Sequence, residues 1–173
     1  MKEQKQRHYK RWERSEPNEL WQIDISGSGR LDIIDDASRF LIASVPLNRM
    51  TADEVIRVVK ESFKRFGPPK EILSDRGSQF FSVRGGTSSF QKLCKAWNVK
   101  YIVARPRHPQ TIGKVERLHR TIDFESNLLG MELDEYVEHY NYVRPHAGIE
   151  YATPSEKYFN EKRVHIRSVT HLP

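Results

Sequence analysis

The chain has 173 residues and carries a formal net charge of +6, with an isoelectric point near 9.5. The single cysteine, Cys94, excludes an intrachain disulfide framework and a cysteine-rich zinc module. No run of about 18 apolar residues occurs, so no membrane span is predicted, and the charged N-terminus is not a secretory signal. A basic balance favours a polyanionic partner, of which nucleic acid is the commonest.

Residues 1–19 form a basic arm without an apolar period, which predicts an extended segment or a frayed helix. Its cationic side chains are Lys2, Lys5, Arg7, Lys10, Arg11 and Arg14. Contact with DNA and a solvated tail are both open interpretations of this arm.

Three short apolar segments follow, at residues 20–25, 31–34 and 40–45, and each ends at turn-forming residues or proline. Strands joined by such tight turns predict an antiparallel meander. Asp35 and Asp36 are interpreted as part of the turn after the second strand, and no chemistry is assigned to them.

A helix is predicted next, with Thr51 as its N-cap, Glu54 at the capping-box position and Gly67 at its end. The strand predicted at residues 71–75 then lies parallel to an earlier strand, because a helix connects them. A Gly/Ser loop follows at residues 82–89.

The remaining predicted elements are a helix at 90–97, a strand at 99–104, a helix at 111–124 and a helix at 133–142. Trp21 and Trp97 are assigned to the core. This order of elements predicts an α/β chain with the ribonuclease H-like fold, in which helices flank a mixed five-stranded sheet.

Three carboxylates occupy chemically informative positions in this arrangement. Asp24 lies inside the first strand and Asp75 at the exit of the fourth, and these strands are neighbours in such a fold. Glu116 reaches in from a helix. Phosphodiester chemistry is served by two Mg²⁺ ions roughly 3.5–4 Å apart, held by carboxylate oxygens. The pattern predicts that the three acids meet around Mg²⁺.

Each acid also has an ordinary interpretation. Asp24 fits the solvent-facing side of a strand, Asp75 fits a turn, and Glu116 fits a helix surface. The charges around Glu116 favour the metal site, because it is the only acid between residues 101 and 120. The basic residues in that stretch are Arg105, Arg107, Lys114, Arg117 and Arg120.

The segments LWQIDISG, ILSDRGSQF, RPRHPQTIGKVERLHRTI and HYNYVRPHAGIEYATPSEKY occur in this order. They resemble the catalytic core of the DDE integrases and transposases of insertion sequences, and more distantly that of retroviral integrases. The resemblance covers residues 20–158 and leaves 159–173 as a basic tail. It implies strand transfer that depends on Mg²⁺ or Mn²⁺, with two ions bound by Asp24, Asp75 and Glu116.

In the reaction of that family, water first attacks at the element end, and the freed 3′-hydroxyl then attacks target DNA. The resemblance also implies a basic face on the Glu116 helix. Arg120, one turn beyond Glu116, is therefore predicted to contact a phosphate, although an ion pair with Glu116 is the alternative. Lys114, Arg117 and Arg107 are weaker DNA-binding candidates, and His119 is assigned a DNA-facing or structural role.

The sequence departs from its relatives in two places. The gap of 40 residues between Asp75 and Glu116 is longer than usual, and the loop at 82–89 is the expected place for the insertion. Ile112 stands where relatives have a small polar residue, which leaves Thr111 as the candidate helix cap. This substitution puts a DNA contact of the loop in question but not the three acids.

The predicted function is therefore DNA integration or transposition. The alternatives are a ribonuclease H-like nuclease that only hydrolyses DNA and a catalytically idle DNA-binding remnant. Expected partners are element ends, target DNA and further copies of the chain, as a homodimer or higher oligomer, in the prokaryotic cytoplasm at the nucleoid. Residues 1–19 are too short for a helix-turn-helix, so we expect a fragment, a truncated gene or a core that depends on a separate helix-turn-helix chain.

Overall fold

The computed structural model describes residues 13–82, 85–104 and 113–160. The predictions for Arg107, Thr111 and Ile112 lie outside these ranges, as do most of the basic arm and of the tail. Within the described ranges, no helix combines the length and the apolar character needed to cross a bilayer.

Five strands form one sheet in the order β3-β2-β1-β4-β5. Their bounds are β1 Leu20–Ile25, β2 Arg30–Asp35, β3 Leu41–Pro46, β4 Glu71–Ser74 and β5 Lys100–Val103. The first three strands pair antiparallel, whereas β4 lies parallel to both β1 and β5. The predicted meander and the predicted parallel pair are both confirmed.

Five helices and two short turns complete the described structure. They are α1 Ala52–Phe66, α2 Ser89–Ala96, α3 Gly113–Leu129, α4 Leu133–Glu138, a π-helical turn His139–Val143, a 3₁₀ turn Ala147–Ile149 and α5 Pro154–Tyr158. Helix α3 continues past the predicted end at Phe124. The single helix predicted over 133–142 ends at Glu138 and continues as the π-helical turn.

The start of α1 shows how local chemistry sets a helix boundary. The Thr51 side chain accepts the Glu54 N–H, as the sequence predicts for an N-cap. The Glu54 carboxylate accepts the N–H of Arg49 and not that of Thr51, so only half of a capping box forms. Gly67 ends the helix with a φ of 78°, a conformation that glycine adopts without steric cost.

The core has one apolar layer on each side of the sheet, because neighbouring strand residues point to opposite faces. On one side Trp21 and Ile33 pack with residues of α1 and α2, including Phe63. On the other side Ile34 packs with α3 and α4. Trp21 is fully buried and Trp97 packs against the same layer, so the prediction that both belong to the core is confirmed.

Candidate active site

Asp24 lies in β1, and Asp75 lies at the end of β4, the parallel strand beside it. Gln22 of β1 is level with Leu73 of β4 in the parallel register. Asp24 follows Gln22 by two residues in β1 and so lies on the same face, and Asp75 comes directly after β4. The charge of Asp75 contributes to the raised pKa of Asp24, so the two carboxylates are near each other.

The Asp75 carboxylate is held by the turn that follows it. Its Oδ1 accepts the N–H of Gly77 at 2.7 Å. A Cβ at Gly77 would lie 2.9 Å from this same Oδ1 and 3.0 Å from Gln79 Oε1. A side chain at position 77 would therefore displace the Asp75 carboxylate from this position, and the turn interpretation of Asp75 agrees with its hydrogen bond to Gly77.

Glu116 lies in the first turn of α3, where its side chain is exposed. Val115, Leu118 and Ile122 of the same helix are buried and pack in the layer that contains Ile34 of β2. These apolar contacts fix α3 across β1 and β2, and Glu116 is close enough to Asp24 for its charge to contribute to the raised pKa of that acid.

The electrostatics of Asp24 show that the other acids act on it. Burial, together with the negative charges of Asp75, Glu116 and Asp32, raises the pKa of Asp24 to about 7. Mutual repulsion of this kind is relieved by a cation bound among the carboxylates.

The oxygen donors of these acids fit Mg²⁺ by their chemistry. Among the described residues, however, no group of three or more histidine, cysteine, aspartate or glutamate side chains is arranged as a formed metal site. The structure therefore shows coupled carboxylates rather than a closed coordination shell.

Asp32 is a fourth acid at this site that the sequence reasoning missed. It pairs with Asp24 across the β1–β2 hairpin and is fully buried. Its carboxylate accepts hydrogen bonds from Ser44 Oγ at 2.6 Å and from Arg30 Nε at 3.1 Å. Burial raises its pKa to about 6, although Arg30 opposes the rise. The sequence signal for Asp32 was a polar residue between the apolar residues Leu31 and Ile33. The hairpin register then places it opposite Asp24.

His119 lies between these two strand acids. Its Nδ1 is 3.9 Å from Asp24 Oδ2, and its Nε2 is 3.3 Å from Asp32 Oδ2. Nε2 is buried and makes no hydrogen bond within the described part of the chain. Burial and the charge of Arg30 lower the pKa of His119 to about 4, so the imidazole is neutral at neutral pH.

The predicted DNA-binding residues on α3 occupy two different environments. Arg117 and Arg120 are exposed, and no salt bridge joins Arg120 to Glu116 in the residues that the structure describes. Lys114 instead turns into the protein, where its ammonium donates to Asp36 Oδ1 at 2.6 Å and to Glu13 Oε1 at 3.2 Å. The turn residue Asp36, to which no chemistry was assigned, is thus fully buried and ion-paired.

Comparison with known sequences identifies the family to which the chain belongs. A family model described as "Integrase core domain" matches residues 14–109, more than half of the chain, and a second model with the same description matches residues 97–154. The chain belongs to the integrase core domain family, as a retroviral-integrase-like catalytic core.

Particular relatives extend this assignment. The chain is 33% identical over 113 residues to the Pol-related polyprotein of a mouse intracisternal A-particle, covering 61% of this chain and 12% of that protein. It is 34% identical over 92 residues to the Pol polyprotein of transposon 412 of Drosophila melanogaster, covering 53% of this chain and 7% of that protein. The chain thus spans a small part of these relatives.

Solved structures confirm the predicted ribonuclease H-like fold. The catalytic core of BIV integrase superposes with a TM-score of 0.66 at 24% identity, covering 83% of this chain and 95% of that one. The HTLV-2 integrase core in complex with magnesium, in its dimeric form, gives a TM-score of 0.65 at 20% identity, covering 84% of this chain and 99% of that one.

Proposed function

We propose that this chain transfers DNA strands, with Asp24, Asp75 and Glu116 holding two divalent ions, Mg²⁺ or Mn²⁺. The observation that carries the proposal is the raised pKa of Asp24, which results from burial and from the charges of Asp75 and Glu116. Membership of the integrase core family supports polynucleotidyl transfer in general, and the donor set adds the chemistry that such transfer uses.

Each residue has a distinct role in this proposal. Asp24, Asp75 and Glu116 would hold the ions, which would supply charge neutralisation at the scissile phosphate and activation of the attacking oxygen. Gly77 orients the Asp75 carboxylate through its N–H. The exposed guanidinium groups of Arg117 and Arg120 bind the phosphates of the DNA backbone. The neutral imidazole of His119 lies between Asp24 and Asp32, and it would not be required as a general base where bound ions supply the activation.

The decisive experiment uses labelled DNA duplexes that copy the termini of the genetic element that encodes the chain, pre-cut at the 3′ end. With Mg²⁺ and target DNA, we expect products longer than the substrate, and we expect none from Asp75→Asn or Glu116→Gln. Shortened products alone would identify a nuclease that only hydrolyses. Binding without any Mg²⁺-dependent product would identify an idle remnant, and undiminished activity of Asp75→Asn would remove Asp75 from the site.

We propose further that the active form contains at least two copies of this chain. The HTLV-2 integrase core has been solved in dimeric and trimeric forms. In this chain Phe124 and Leu128 of α3 and Tyr142 and Val143 of the π-helical turn are exposed apolar side chains, which is typical of surfaces that bind protein. Sedimentation equilibrium is expected to show a dimer or higher oligomer.

Three further proposals concern the context of the chain. They are a separate helix-turn-helix chain that recognises element ends, an origin in an insertion sequence, and residence at the nucleoid.

A further inference from the structure

A buried acid beside α3 accepts hydrogen bonds from several parts of the chain. Asp36 follows β2 and is fully buried. Its Oδ1 accepts hydrogen bonds from Lys114 Nζ at 2.6 Å and Gln22 Nε2 at 2.8 Å, and its Oδ2 accepts the backbone N–H of Arg14 at 2.7 Å. Its carbonyl oxygen accepts from Lys114 Nζ at 3.0 Å and also from Arg39. This acid therefore joins the start of α3 to β1 and to the segment before it.

Lys114 occupies a position that helix stability alone does not explain. It is the second residue of α3, where the partial positive charge of the helix N-terminus disfavours a cation. Its side chain is 22% exposed, and its ammonium pairs with Asp36 and Glu13. These two acids offset the cost of placing the lysine here, and the contact ties the start of α3 to the residue that follows β2.

The contact constrains the direction in which Glu116 points. Successive residues of an α-helix are about 100° apart around its axis. Val115 is buried in the apolar layer under α3, and Lys114 is fixed on Asp36. Two adjacent side chains held in different directions fix the rotation of the first turn, and Glu116 is the next residue.

We propose that the Asp36–Lys114 ion pair is a positioning device for Glu116, which sets the rotation and depth of the first turn of α3 against the sheet. Its catalytic consequence rests on the proposed function above, in which Glu116 is a metal ligand. The ion pair itself is a property of the fold, so its effect on α3 is measurable whether or not the chain transfers DNA strands.

The experiment compares the full chain with Asp36→Asn, Lys114→Met and Lys114→Arg. The matched control is Lys100→Met, because Lys100 also pairs with an acid, Glu71 at 2.7 Å, but is mostly exposed on β5. The first measurement is amide hydrogen exchange at Arg117 and Leu118, whose N–H groups bond to carbonyls of the first turn. The second is Mn²⁺ affinity by isothermal titration calorimetry.

We expect Asp36→Asn and Lys114→Met to speed exchange at Arg117 and Leu118 about tenfold, with exchange at Ile122 unchanged. We expect Mn²⁺ affinity to fall about 10–100-fold, as for other residues that orient metal ligands. Lys114→Arg, which keeps the charge, is expected to have an exchange rate and a Mn²⁺ affinity close to those of the wild type. Lys100→Met is expected to leave both quantities unchanged. Asp36→Asn keeps the size of the side chain, so it tests the ion pair even if Lys114→Met fails to fold.

A third measurement separates positioning from DNA contact at Lys114. Loss of a phosphate contact reduces the slope of log affinity against log salt concentration by about one. We expect Lys114→Met to keep the wild-type slope for duplex DNA in metal-free buffer. A reduced slope with unchanged hydrogen exchange would overturn the inference in favour of a direct DNA contact.

Two further outcomes are decisive. A lower melting temperature with unchanged exchange at Arg117 and unchanged Mn²⁺ affinity would overturn the inference, because a purely structural ion pair has that effect. If the wild-type chain binds no Mn²⁺ and transfers no strand, the proposed function fails. Faster exchange in Asp36→Asn would then still support the positioning of α3.

Discussion

At the residue scale, the environment of each acid determines its chemistry. Asp24, Asp75 and Glu116 were predicted as site residues from their places in the sequence, but nothing in the sequence shows that the pKa of Asp24 is raised. That property comes from burial and from charges that different elements bring close. Asp32 was missed because a polar residue in a strand is ordinarily an exposed one, whereas here it is fully buried.

The raised pKa of Asp24 predicts a pH dependence of stability in metal-free buffer. Its ordinary pKa is 3.8 and its folded-state pKa is about 7, so the folded state binds the proton more tightly. This contribution to stability is fully present below about pH 4 and is lost as pH rises through about 7. Urea unfolding with a chelator present is expected to show this decline, of about 2 kcal/mol after allowance for solvent screening.

Asp24→Asn is the variant that checks this prediction, because asparagine does not titrate. The decline between pH 4 and 7 is expected to become shallower in the variant. An identical pH profile in wild type and variant would show that Asp24 is not the responsible group.

Gly77 provides a second prediction at this scale. Gly77→Ala places a Cβ 2.9 Å from Asp75 Oδ1, so the carboxylate must move. We expect Mg²⁺-dependent strand transfer to fall at least tenfold while the unfolding free energy changes by less than about 1 kcal/mol. The control is Gly27→Ala, since a Cβ there meets no atom within 4 Å. Equal activity of the two variants would contradict the orienting role of Gly77.

At the element scale, the sequence located the strands within about a residue of their observed ends, since turn-formers and proline bound them. It also located the N-cap of α1, where Thr51 bonds to Glu54. The sequence-based prediction was wrong where contacts between distant residues determine the local structure. The π-helical turn contains Asn141, whose side chain bonds to both the N–H and the C=O of Leu41. A partner 100 residues away is not visible in the local pattern.

Helix α3 is joined to the segments after it by a partly buried polar contact. Arg144 donates to both oxygens of Glu125 at 2.6 Å, and Tyr136 Oη donates to the same carboxylate at 2.7 Å. Arg144→Lys loses the bidentate contact with Glu125, because a lysine presents a single ammonium. We expect a loss of about 1–2 kcal/mol in unfolding free energy, measured in guanidinium chloride.

The control for Arg144→Lys is Arg57→Lys, which alters an exposed pair with Glu61 at 3.3 Å within α1. Exposed pairs of this spacing contribute about 0.3–0.5 kcal/mol. A similar small effect for both variants would show that the Arg144 contact does not hold α3.

At the scale of the whole molecule, the site exists only where β1, β4 and α3 meet. A ligand that binds the folded state alone stabilises it by about 2.7 kcal/mol at a hundredfold excess over its dissociation constant. We therefore expect Mg²⁺ to raise the melting temperature of the wild-type chain and to have little effect on Asp24→Asn or Glu116→Gln. Equal shifts in all three proteins would place the bound metal elsewhere.

The sequence by itself determined the order of the elements, the ribonuclease H-like fold and the identity of three candidate acids. These depend on local periodicity, turn residues and short motifs that a chain displays in order. Only the tertiary structure decided that Asp32 is a buried neighbour of Asp24 and that Lys114 is paired with Asp36. Burial and ion pairing depend on which distant segments pack together, and a lysine that faces DNA and one that faces a buried acid look the same in a sequence.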